Sequence, residues 1–128
     1  VQTCALPIYW YVNGRSFYTL HTVFENYYDY TTATLDEAAE RLLAIGGRPV
    51  STLKGALELA TIEEATEKET TSEMVAAVFH DFELLKADLS KLMELSEEEG
   101  DQGTSDFALG VKTQLEKNIW MLKAYLSE

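Results

Sequence analysis

From Ser16 onward, apolar residues recur every three or four positions. Phe17, Leu20, Phe24, Tyr27, Tyr28, Thr31, Leu35, Ala38, Ala39, Leu42 and Ile45 hold this rhythm over about eight turns, which predicts one long helix. Asn13-Gly14 breaks the chain before it, and Gly46-Gly47 with Pro49 beyond supplies a stop. A second long helix is expected from about Thr71 to Glu99. Thr70 and Glu73 stand at capping-box spacing, and Met74, Val78, Phe82, Leu85, Leu89 and Leu92 form its stripe. A third is expected after Gly103, with Ala108, Val111, Leu115, Ile119, Leu122 and Leu126 facing inward. Between the first and second, Leu53 to Ile62 reads as a short helix, followed by a stretch rich in Glu and Thr. No strand alternation of useful length occurs. The pattern is all-α.

Three long helices with one apolar stripe each imply a bundle, and an up-and-down bundle normally has four. The missing partner belongs upstream of Asn13, where Tyr9-Trp10-Tyr11-Val12 reads as the tail of a truncated helix. The preceding residues 1–8, VQTCALPI, do not fit: Pro7 falls where a long helix should be in mid-course. That run resembles the translation of a common short-read sequencing adapter. On that reading residues 1–8 are a non-native segment and residues 9–128 form a single domain. The adapter's last T would also overwrite the first base of the next codon, turning a His codon into the Tyr9 codon. A genuine, divergent N-terminus is the alternative.

Composition narrows the class. The chain has 128 residues, 46% of them hydrophobic and 11% aromatic, enough for a core and against disorder. No apolar run approaches the ~20 residues of a membrane span. A single cysteine excludes a disulfide framework and a multi-cysteine zinc site. The expected setting is cytoplasmic. With 22 acidic against 10 basic residues the net charge is -12, which opposes phosphate binding.

The candidate chemistry lies on the first helix. His21 and Glu25 are four residues apart, as are Asp36 and Glu40, so each pair projects from one face one turn apart. Glu25 and Asp36 are eleven apart, which at ~100° per residue returns to within roughly 20° of the same direction. The pair centres are nevertheless ~22 Å apart along the axis, too far to share an ion. Two copies paired antiparallel about a two-fold axis would bring His21 and Glu25 of one against Asp36 and Glu40 of the other, twice. One imidazole with three carboxylates is a hard donor set suited to iron or manganese. Acidic residues at this spacing also make an ordinary solvated face, and His21 between Leu20 and Phe24 also fits a satisfied core histidine. Spacing alone leaves these readings open.

The segments Trp10-Tyr11-Val12, Phe17 to Glu25, Tyr28-Asp29 and Asp36 to Val50, with the closing Asn118-Ile119-Trp120-Met121-Leu122-Lys123-Ala124-Tyr125-Leu126, resemble the Dps family of miniferritins. The family pattern HWxVxGxxFxxLHxxFE/D, later Asp and Glu on the same helix, and an IGG-x-P turn all find counterparts over residues 9–128. The resemblance implies a ferritin-like four-helix bundle assembled into a hollow dodecamer. It implies di-iron ferroxidase centres at the two-fold interfaces, oxidising Fe(II) to Fe(III) preferentially with hydrogen peroxide and storing the ferric product. His21 and Glu25 would be ligands from one subunit, and Asp36 and Glu40 from its partner. Trp10 matches the tryptophan beside the centre that quenches reactive oxygen species. The departure is Tyr9, where the family's first ligand is His; a neutral phenol is a poor Fe(II) ligand.

The resemblance also places acidic residues that line a cation pore before the last helix. Asp106 fits that position best, Asp101 and Glu97 less securely, and Gln102 stands where some members carry Asp. A solvated turn is the competing reading. His80 has no carboxylate at ligand spacing and reads as structural. The family's DNA-binding members use a Lys/Arg-rich tail; here the basic residues are scattered, so DNA binding is expected to be weak or absent. Two rivals stand beside the ferroxidase: a DNA-protecting shell with a vestigial metal site, and an acidic helical interaction module.

Overall fold

The computed structural model of the chain describes residues 8–127. The expectations for residues 1–7, Pro7 and Cys4 included, fall outside them. Among the described residues all regular structure is helical. The chain divides into two compact units, Val1–Glu69 and Thr70–Glu128.

In the first unit, residues 8–11 are helical, and Ile8 and Val12 are buried. Ile8, the last residue of the segment expected to be foreign, is in helix and only 2% exposed. A turn through Asn13 to Ser16 leads into α1, Phe17–Ala44, with Phe17 N donating to the Gly14 carbonyl at 3.2 Å. The stop after α1 is the one its glycines predict. Gly46 adopts φ +93°, Gly46 N donates to Leu43 O at 3.0 Å, and Gly47 N to Leu42 O at 2.8 Å. This paired arrangement satisfies the last carbonyls of the helix and needs a residue free to take the left-handed conformation. A Cβ on Gly47 would run into the Leu42 side chain.

The short helix α2, Leu53–Leu59, is three residues shorter than expected, ending at Leu59 rather than Ile62. Its start is fixed by Thr52, whose hydroxyl accepts from Gly55 N at 3.1 Å. No residue of α2 is buried, so packing contributes little to extending it, and Ala60 already has extended backbone. The stripe of α1 is likewise only partly buried. Leu20, Phe24 and Tyr27 are inside, whereas Leu35 is 56% exposed and Leu42 and Ile45 face solvent in the single chain.

The second unit is a helical hairpin. α3, Thr71–Glu98, carries Met74, Val75, Val78 and Phe82 inward; α4, Gln102–Leu126, packs on it with Ala108, Leu115, Ile119 and Leu122. Leu92 and Leu126, expected inside, are exposed. The hairpin turn is three residues long, Glu99 to Asp101. Gly100 at φ +71° repeats the glycine stop, and Asp101 N donates to Ser96 O at 2.7 Å, closing α3. The Asp101 side chain then opens α4 by accepting from Thr104 N at 3.0 Å.

Candidate metal centre

The site is built on one uninterrupted helix. Because α1 runs unbroken from Phe17 to Ala44, His21/Glu25 and Asp36/Glu40 keep the spacing inferred for them. Each pair occupies one turn, and the two pairs stay ~22 Å apart at 1.5 Å per residue. Glu25, Asp36 and Glu40 are exposed, so their carboxylates are reachable and hydrated. Among the described residues, no group of three or more His, Cys, Asp or Glu is placed to hold a metal ion. Within the described residues the two pairs therefore stand apart rather than in one cluster.

His21 is held more tightly than spacing could show. It is half-buried, and its Nδ1 lies 2.8 Å from the carbonyl oxygen of Tyr9. A carbonyl only accepts, so Nδ1 carries the proton and Nε2 keeps its lone pair. The imidazole contacts the Phe17 ring, 5.1 Å between centroids, and the Tyr9 ring, 5.2 Å away and edge-on. Tyr9 in turn contacts Trp10 at 5.9 Å and Tyr28 at 6.0 Å. Trp10 is 61% exposed, open to diffusing species.

The other half-site borders an open groove of about 1040 Å³ within the first unit. Tyr28, Thr32, Leu35, Asp36 and Ala39 of α1 form one wall, and Val50, Ala56 and Leu59 form the other. Leu53, 82% exposed, and Leu57 add apolar surface on α2 nearby. Asp29 and Arg48 also line the groove, so its wall mixes apolar and charged side chains.

The acidic turn separates into distinct roles. Both Asp101 oxygens are engaged by Thr104, one by the amide and one by the hydroxyl. Asp101 is therefore a helix cap, which the sequence reading missed although Asp followed three residues later by Thr was legible. Glu97 accepts from Ser105 Oγ at 3.3 Å. Asp106 is exposed, and its Oδ1 accepts from Gln102 Nε2 at 2.9 Å. His80 is exposed on α3.

The family described as "Ferritin-like domain" matches residues 5–128, beginning inside the segment that reads as foreign. "DNA protection during starvation protein 2" of Bacillus anthracis is 47% identical over 120 residues, covering 94% of this chain and 82% of that protein. The chain belongs to the Dps family of ferritin-like proteins. "General stress protein 20U" of Bacillus subtilis is 45% identical over 118 residues, covering 92% of this chain and 81% of that protein. A crystal structure of a Dps protein from Bacillus brevis superposes with a TM-score of 0.96 at 40% identity, covering 98% of this chain and 85% of that one. Dps from Listeria innocua soaked with cobalt gives 0.93, also at 40%, over 97% and 81%. The fold is thus the all-α, ferritin-like four-helix-bundle type that the helical periodicity and the resemblance predict. The Dps family places the chain among miniferritins of DNA protection and stress. No helix among the described residues is long and apolar enough to cross a membrane.

Proposed function

We propose that this chain is the subunit of a ferroxidase and iron store, working at di-iron centres shared between two copies. The carrying observation is that α1 holds two ligand pairs on one face, too far apart to cooperate within one chain. Antiparallel pairing about a two-fold axis along the groove unites His21 and Glu25 with Asp36 and Glu40 of the second copy. Such dimers, joined through further contacts, would build the dodecamer to which the family resemblance points. The substrate is Fe(II), which suits one imidazole and three carboxylates. Hydrogen peroxide takes one electron from each of two ferrous ions and is reduced to water, and Fe(III) passes to storage. Asp106, with one oxygen outside its bond to Gln102, is the best-placed carboxylate to draw cations inward, with Glu97 behind it.

Two features of neighbours support this reading. Dps from Listeria innocua has been soaked with cobalt and with zinc. The two histidines replaced by glycine in a variant of that protein lie twelve residues apart, the separation of Tyr9 from His21. Tyr9 favours a second reading, a DNA-protecting shell with a vestigial centre, because position 9 lacks imidazole. The deciding experiment follows ferric absorbance after adding Fe(II) and peroxide. Fast oxidation, lost in His21→Ala and in Asp36→Ala, supports the ferroxidase. Oxidation no faster than in buffer, together with DNA protection, supports the shell.

A further inference from the structure

We infer that Phe17 is a positioning residue for His21, holding its imidazole in one tautomer and one direction before any metal arrives. The inference rests on the reading of His21 as a ligand, and the observations behind it are local to the first unit. Phe17 stands one turn before His21 on α1, where side chains at i and i+4 meet. Their ring centroids are 5.1 Å apart at an interplanar angle of 33°. The imidazole also meets the Tyr9 ring edge-on at 5.2 Å, and the Tyr9 carbonyl accepts from Nδ1 at 2.8 Å.

These contacts divide the work. The carbonyl selects the tautomer, because a protonated Nδ1 leaves Nε2 as the donor atom. That carbonyl lies in the last turn of the helical residues 8–11, where carbonyls lack an N–H four residues on within the helix. It is backbone, so it serves equally with Tyr or His at position 9. One hydrogen bond, however, leaves the ring free to swing about the Nδ1···O line. The tilted Phe17 ring, 5.1 Å from the imidazole centroid, restricts that freedom. Outer-shell partners of metal-binding histidines act in this way, and their loss typically costs ten- to a hundredfold in affinity.

The test uses the assembled protein with Phe17→Ala, Phe17→Leu and Phe17→Tyr. The first readout is ¹⁵N NMR of histidine-labelled, metal-free protein, with His80→Gln in the background so that His21 gives the one signal. The second is Co(II) affinity from its visible absorption. Phe17→Ala is expected to turn a single Nδ1-protonated form into a mixture and to weaken Co(II) binding about tenfold. Phe17→Leu, which keeps apolar volume without a flat face, should behave likewise if Phe17→Ala folds poorly. Phe17→Tyr should restore both readouts. An unchanged single tautomer with wild-type Co(II) affinity in Ala and Leu variants overturns the inference. His21→Ala serves as the separate control: wild-type Co(II) affinity there removes His21 from the ligands and sinks the proposed function, while the metal-free NMR result still decides what Phe17 does to the ring.

Discussion

Thr70 and Glu73 cap each other. The Thr70 amide donates to Glu73 Oε2 at 2.7 Å, and the Glu73 amide donates to Thr70 Oγ1 at 3.3 Å. Two donors that would otherwise be orphaned at the start of α3 are satisfied by one pair of side chains. Thr70→Ala should cost about 1 kcal/mol of stability. Urea unfolding of wild type and variant measures it, and an unchanged midpoint would refute the cap's contribution.

The stop after α1 makes a sharper demand. An L-residue with a Cβ at Gly46 pays roughly 1–2 kcal/mol to reach a left-handed backbone. Gly46→Ala should therefore lower the thermal midpoint, and Gly46→Asn should lower it less. Equal losses from both substitutions would show that backbone conformation is not what selects glycine there.

Asp101 and Asp106 are five residues apart and should fail in different ways. Asp101→Ala removes the cap that receives Thr104, costing about 1 kcal/mol in denaturant unfolding. Asp106→Asn touches no cap, so stability should stay near wild type while Fe(II) uptake slows. Uptake rates indistinguishable from wild type in Asp106→Asn would remove it from the entry route.

Shared centres predict complementation. His21→Ala and Asp36→Ala homo-oligomers should both be inactive. Mixed after co-refolding, a dimer of one copy of each has one centre with both substitutions and one with neither. Up to half of the centres in such hetero-dimers should regain activity. Absence of any recovery, with mixed oligomers demonstrated by mass spectrometry, would place both pairs in the same subunit's chemistry.

Glu69 carries the pH dependence that can be assigned. Its carboxylate is drawn below the ordinary 4.5, chiefly by the Thr66 amide, with further help from the Thr66 hydroxyl and the Lys68 amide. A depressed folded value means that the charged form is the one the loop prefers. The contribution is therefore complete above 4.5 and fades as pH falls through the lower folded value. Hydrogen-exchange protection of the Thr66 amide should decline over that acid window, and in Glu69→Gln, whose neutral amide oxygen is a weaker acceptor that does not titrate, protection should be lower and no longer change across it.

Much of this was legible from local pattern. The Thr70–Glu73 box, the Gly46-Gly47 stop, the buried Met74, Val78 and Phe82, and Ala108, Leu115, Ile119 and Leu122 all follow from spacing over one or a few turns. Leu35, Leu42, Ile45 and Leu92 keep the helical period yet lie exposed in the single chain, because apolar periodicity reports a face that shuns water without saying whether the same chain covers it. The i, i+4 ligand pairs were visible as pairs, yet the hold on His21 was not. Its hydrogen-bond partner lies twelve residues away across a turn, beyond any helical period. The capping role of Asp101 was not drawn from the sequence because charge was weighed there and the Asp-to-Thr spacing was not.

The openness of Glu25, Asp36 and Glu40 has a bearing on safety in the cell. If the centre is complete only when two copies meet, a chain fresh from the ribosome holds no competent iron site and performs no peroxide chemistry. Reactivity would then be a property of quaternary structure, switched on only when two copies pair. Damage from half-made protein is then prevented by geometry alone, with no inhibitor or chaperone needed to keep the subunit quiet.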